Sequence, residues 1–112
     1  MAMDAPAATP DLFHALAAPA RRRVIDLLAQ GPQTVNELLP QFDMSQPALS
    51  QHLKILRDAG LVAADQRGRH RHYRLIGHRL REVRDWAARY ERFWTSRLDA
   101  LGRVLEEAEG AP

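Results

Sequence analysis

Between Ser45 and Ile76 the spacing of apolar residues switches from a helical period to a two-residue period, with glycines at the joints, and few small folds accommodate that change. Leu49, Leu53 and Leu56 recur at i, i+4 and i+7. Ser45 stands ahead of them as an N-cap, Pro47 fits the first turn, and Gly60 ends the run. Leu61, Val62, Ala63 and Ala64 then lead into Asp65-Gln66-Arg67-Gly68, and Arg69 to Ile76 returns with alternating character. This predicts two short strands turning at Gly68. A helix over 45–59 therefore passes directly into a basic hairpin, or wing, over 61–76.

The segments before and after supply the rest of a small core. Residues 1–8, rich in Ala and Pro, read as a disordered tail. Thr9 is placed to cap a first helix, with Pro10 and Asp11 in its first turn and Leu12, Phe13 and Leu16 as its apolar stripe, ending near Ala18. Pro19 opens a second helix with Val24, Ile25, Leu27 and Leu28 inward and Arg21, Arg22 and Arg23 crowded into its first turn; Gly31 and Pro32 stop it. Thr34 and Glu37 form a capping box for a third helix carrying Val35, Leu38, Leu39 and Phe42, which Pro40 shortens or bends. A tight connection through Asp43 and Met44 to the 45–59 helix makes a helix-turn-helix. Beyond His78 one long helix is predicted from Val83, Trp86, Tyr90, Phe93, Trp94, Leu98, Leu101, Val104 and Leu105. The expected fold is mainly α with a small β-hairpin: a winged helix-turn-helix of about five helices in one domain over 9–107, with a second tail over 108–112.

Composition narrows the class. At 112 residues the chain is one domain by size and can bury roughly two thirds of its unfolded surface. With 46% hydrophobic residues it has no apolar run near the roughly 18 needed to span a bilayer, and its first residues lack the charged-then-apolar pattern of a secretion signal. A soluble cytoplasmic protein, away from membranes, is expected. The absence of cysteine excludes disulfides, thiolate metal sites and thiol redox switching. The formal net charge is only +2, yet residues 45–84 hold nine Lys or Arg against three acids, a local +6, and the flanks sum to −4. A basic middle between acidic ends is the footprint of a polyanion-binding surface, with a solvated basic face as the plain alternative.

At the head of the 45–59 helix, Ser45, Gln46, Ser50 and Gln51 can donate and accept hydrogen bonds, and Gln suits bidentate pairing with adenine in the major groove. They are the base-reading candidates, although each alone could be a cap or a solvated position. His52 either reaches DNA or packs at the helix edge. Lys54 fits a phosphate. Around Gly68 the ribbon holds Arg67, Arg69, His70, Arg71, His72 and Arg74, placed to meet phosphates or the minor groove. Alternation puts His70 and His72 on one face and Arg69, Arg71 and Tyr73 on the other, so only part of the set meets DNA at once. Tyr73 and Leu75 are expected to pack inward. His70 and His72 could also ligate Zn²⁺, but two ligands are too few, and a third would have to be His78 or come from a second chain. No metal and no cofactor are expected.

The stripe Trp86, Tyr90, Phe93 and Trp94 is large for so small a domain and, with Leu98 and Leu101, predicts a partner surface, read here as a homodimer. A fold-back over its own core and a small-molecule pocket are the alternatives. A two-fold dimer would set two 45–59 helices about one DNA turn apart, roughly 34 Å, and so predicts a pseudo-palindromic operator. The expected function is a sequence-specific regulator with double-stranded DNA as its partner. Two readings stay open beside it: a winged-helix module that binds another protein without reading DNA, and a repressor responding to a metal held by His and carboxylates. Catalysis is not expected, because there is no Cys nucleophile, no Gly-rich phosphate loop and no converging acid-base set.

Three stretches resemble the ArsR family of bacterial winged helix-turn-helix repressors: Phe13-His14-Ala15-Leu16-Ala17-Ala18-Pro19-Ala20-Arg21-Arg22, Ser45 to Gly60, and Gly68 to Leu75 with its His72-Tyr73-Arg74-Leu75 end. The resemblance covers roughly Phe13 to Leu75. It implies a homodimer built from the first and last helices, which adds Leu12, Phe13 and Leu16 to the interface, and repression by occluding a promoter, often with autoregulation. Metal-sensing members carry Cys-x-Cys in the helix before the recognition helix, where Thr34 and Asn36 stand here. Others use Asp and His pairs on the last helix, whereas Asp85 and Glu91 have no histidine downstream of His78. The resemblance is therefore to a cysteine-free subgroup, whose inducer, if it is a small molecule, the sequence does not name.

Overall fold

A computed structural model describes residues 11–110. The tail expected over 1–8, the cap expected at Thr9 and the helical start expected at Pro10 lie outside the described residues, as do residues 111–112. The chain divides into two compact units, one running to Leu80 and one from Arg81.

In the first unit, α1 (Leu12–Leu16) begins later than its sequence suggests. Asp11, expected inside the first turn, is itself the N-cap, its carboxylate accepting from the Phe13 N–H at 2.9 Å. With that start, Leu12 and Ala15 share the inward face and Phe13 points out at 44% exposure. Leu12 is only 4% exposed. It is one of the buried core residues of the chain, and as a dimer contact it remains an expectation from the resemblance. In α2 (Pro19–Leu28), with Pro19 in the first turn, Val24, Ile25, Leu27 and Leu28 are buried as their spacing predicts, and so is Arg21.

The capping box before α3 (Val35–Leu38) is present in both directions: Glu37 N–H donates to Thr34 Oγ1 at 3.2 Å, and Thr34 N–H to Glu37 Oε1 at 2.8 Å. Pro40 has no N–H to continue the helix, and a 3₁₀ turn over Leu39–Gln41 takes its place. The next helix, α4 (Gln46–Asp58), is capped by Ser45, whose Oγ accepts from Ala48 N–H at 3.3 Å. Leu49, Leu53 and Leu56 are at most 1% exposed. Each stabilises the unit by about 1.5–3 kcal/mol relative to an exposed leucine. Together with Val24, Leu38 and Leu61 they form the centre of the core. The chain leaves α4 through Gly60, at a left-handed φ of 76°, and a Cβ there would stand 3.1 Å from Arg79 Nε.

Strands β1 (Val62–Arg67) and β2 (His70–Leu75) pair antiparallel, in register from Val62 opposite Leu75 to Arg67 opposite His70. The two-residue turn starts at Gly68 with φ 63°. A second attachment is not visible in the local sequence pattern: Gln33 and Tyr73 exchange both backbone hydrogen bonds, at 3.0 and 2.8 Å, and so stitch the root of the hairpin to the chain entering α3. Tyr73 is buried and Leu75 half-buried. A 3₁₀ turn over Gly77–Leu80 closes the unit.

In the second unit, the single long helix expected beyond His78 is two: α5 (Arg81–Ala88) and α6 (Arg92–Gly110). Neither Pro nor Gly marks the break. Instead the hydrogen bonds tighten to i→i−3 at Arg89, Tyr90, Glu91, Phe93 and Trp94, and return to i→i−4 at Thr95. The helix then runs on through Ala108 and Glu109 to Gly110, where the sequence reading begins a tail. The described residues thus hold six α-helices, against about five expected, with the two-stranded hairpin.

Candidate nucleic-acid interface

The exposed side of α4 gathers most of the expected base-reading residues. Ser45, Gln46, Ser50 and Gln51 are all exposed, because the leucines at i, i+4 and i+7 turn the opposite face inward. Gln46 also lines an open cleft of about 230 Å³ together with Arg69, His70 and Arg71 from β2 and its turn, and with Thr34, Val35, Asn36 and Tyr73. The head of α4 and the wing are thereby adjacent parts of one surface. Arg67, Arg69 and Arg71 are exposed and make no ion pair among the described residues.

Two basic residues are less free. Lys54 Nζ is 2.8 Å from Asp58 one turn on, and Arg74 Nε is 2.7 Å from Asp65 on the neighbouring strand. Both pairs are solvent-exposed and so weak, within reach of exchange for a phosphate. His70 is exposed at the cleft, while His72 turns toward Thr34, Asn36 and Glu37 with its Nδ1 buried and unpartnered among the described residues. The backbone N–H of Thr34, and then its hydroxyl, hold the Glu37 carboxyl below its ordinary value, with His72 and His70 adding to this. Among the described residues no three His, Asp or Glu side chains come together as metal ligands.

His52 stands apart from its neighbours on α4. It is half-buried, with Nδ1 3.1 Å from Nη1 of Arg21 on α2. Arg21 is 7% exposed and also donates to the carbonyls of Ala15 and His14 at 2.7 and 3.0 Å. Burial, and then the Arg21 charge, lower the His52 pKa below the ordinary histidine value. Sequence reasoning missed Arg21, grouping it with Arg22 and Arg23. The available signal was its position three, four and seven residues before Val24, Ile25 and Leu28, on the buried face of α2.

Residues 18–64 match the family described as bacterial regulatory protein, arsR family. The HTH-type transcriptional regulator Rv2034 of Mycobacterium tuberculosis is 37% identical over 99 residues, covering 88% of this chain and 90% of that protein. The chain belongs to the arsR family. Transcriptional repressor SdpR of Bacillus subtilis is 32% identical to this arsR-family protein, over 68% of the chain and 84% of SdpR. A crystal structure of the ArsR-family regulator RHA00566 superposes with a TM-score of 0.66 at 37% identity, covering 75% of this chain and 87% of that one. The arsR-family fold is the winged helix-turn-helix expected from the sequence, with α3 and α4 as the helix-turn-helix and β1–β2 as the wing. The protein is a DNA-binding transcriptional regulator.

Proposed function

We propose that this arsR-family protein is a homodimeric repressor that reads a pseudo-palindromic operator. In this reading α4 enters the major groove with Ser45, Gln46, Ser50 and Gln51 toward base edges, and Arg67, Arg69 and Arg71 meet the flanking backbone or minor groove. The observation that carries it is the shared cleft of Gln46 with Arg69 and Arg71, which joins a base-reading amide and phosphate-seeking cations on one face. The homodimer rests on the exposure of large apolar side chains, Phe13 in the first unit and Trp86, Tyr90, Phe93, Trp94 and Leu101 in the second. Leu98 belongs to the same proposed face by sequence spacing. Double-stranded DNA is the partner, and a small-molecule inducer is compatible with the reading. Among the described residues no helix is long and apolar enough to cross a membrane, and action in the cytoplasm, beside the DNA, belongs to the same proposal.

Selection from fragmented genomic DNA, followed by sequencing, tests it. The expected result is an enriched inverted repeat with half-site centres about one helical turn apart, bound with a steep inverse dependence on salt. Recovery of random fragments alone would reject sequence reading, and an enriched single half-site would reject the two-fold arrangement.

A further inference from the structure

One buried cation links α1, α2 and the recognition helix. The Arg21 guanidinium is a donor only and stays charged, so each N–H it buries needs an acceptor. No carboxylate among the described residues supplies one. Nε and Nη2 donate to the carbonyls of Ala15 and His14 near the end of α1, the His14 oxygen accepting from the Ala17 N–H as well. Nη1 is left facing Nδ1 of His52 at 3.1 Å. Since a guanidinium cannot accept, Nδ1 has to offer its lone pair at this distance, and the proton of the neutral ring sits on Nε2. Nε2 has no protein partner among the described residues and is not one of the buried unpartnered atoms, so the ring keeps that nitrogen in contact with solvent on a half-buried residue of α4.

We propose that Arg21 is a positioning residue that sets the tautomer of His52, so that the recognition helix presents an N–H donor at position 52, and not an acceptor, to an oxygen or nitrogen acceptor on DNA. The donor's role rests on the DNA-reading function above; the control of the tautomer does not. Burial and the neighbouring positive charge both oppose protonation of the ring, which keeps it in this one form near neutral pH. The same fork ties the end of α1 to α4, so the register of the recognition helix depends on a residue that has no part in the exposed surface.

Heteronuclear NMR of the histidine nitrogens in the DNA-free protein reads the tautomer, with the His52 signal identified by its loss in His52→Gln. At neutral pH the expected spectrum has an unprotonated Nδ1 and a protonated Nε2, and Arg21→Lys, which keeps the charge but removes the fork, moves the ring toward a tautomer mixture. An Nδ1–H ring or a charged ring in the unaltered protein would overturn the proposal. A second arm compares the sequences bound from a random duplex pool by the unaltered protein, His52→Gln and His52→Asn. Gln can place an amide N–H near the position of Nε2, whereas Asn places one near Nδ1, so Asn weakens binding roughly tenfold and Gln largely rescues it. Loss confined to one base position identifies a base acceptor, and uniform loss a phosphate. Binding by His52→Asn equal to that of the unaltered protein would overturn the donor role. If the unaltered protein binds no DNA, the function proposed above fails and the donor role with it, while the NMR result decides the tautomer independently.

Discussion

At His52 the neighbouring residue, not the histidine, decides the chemistry. Its imidazole is held below its ordinary pKa of about 6.5, first by burial and then by Arg21. As pH falls below that value the unfolded chain takes up a proton that the folded chain resists, so the contribution of His52 to stability is level above about pH 6.5 and turns unfavourable toward acid. The urea midpoint should therefore drop between about pH 7.5 and about pH 5.5, and drop less in His52→Gln; equal declines in both would remove His52 as the cause. Gln51 and Arg71 separate reading from holding. Gln51→Ala should relax sequence preference by about 1–3 kcal/mol, whereas Arg71→Ala should weaken all sequences alike and reduce the salt slope by about one, both measurable by titrating matched and scrambled duplexes. The exposed polar residues of α4 were legible because Leu49, Leu53 and Leu56 fix which face is inward. Arg21 was not, because a charged residue on an apolar face looks from sequence like an interruption until its acceptors, carbonyls of another helix, are known.

Elements with local signals were the most legible. Thr34 and Glu37 announce the start of α3 and are found bonded in both directions, and Thr34→Ala should lower unfolding free energy by about 1 kcal/mol in chemical denaturation, with Thr34→Ser recovering most of it. Pro40 likewise ends α3 where its missing N–H requires. The break between α5 and α6 had no such signal. It lies in a run of helix-compatible residues, among aromatic rings that contact one another, Trp86 with Tyr90 at 5.6 Å between centroids and Tyr90 with Phe93 at 6.4 Å. Apolar periodicity survives a tightened turn, so the period alone cannot locate it. The start of α1 shifted for a related reason: Thr9 and Asp11 are both competent caps, and only the bond from Phe13 N–H distinguishes Asp11.

For the molecule as a whole, the aromatic residues of α5 and α6 and the leucines and valine that follow define the proposed contact with a second copy. Phe93, Leu101 and Val104 are each more than half exposed, so Phe93→Glu should change little in a monomer but shift sedimentation from dimer to monomer if that face is shared. An unchanged sedimentation coefficient would place the dimer contact elsewhere or remove it. Fold and family were legible at this scale because they are written in short-range spacing along one chain, whereas association is a property of surfaces. The stitch between Gln33 and Tyr73 bears on what such a pair could do. A hairpin anchored at one end only can splay to suit its target, but this one is fastened to the body on both sides of its root. Within its own unit such a finger would behave as one jaw of a caliper locked at one gauge against α4, and a half-site of altered groove width would have to be met by twisting or bending the duplex, at the expense of the DNA's own stiffness.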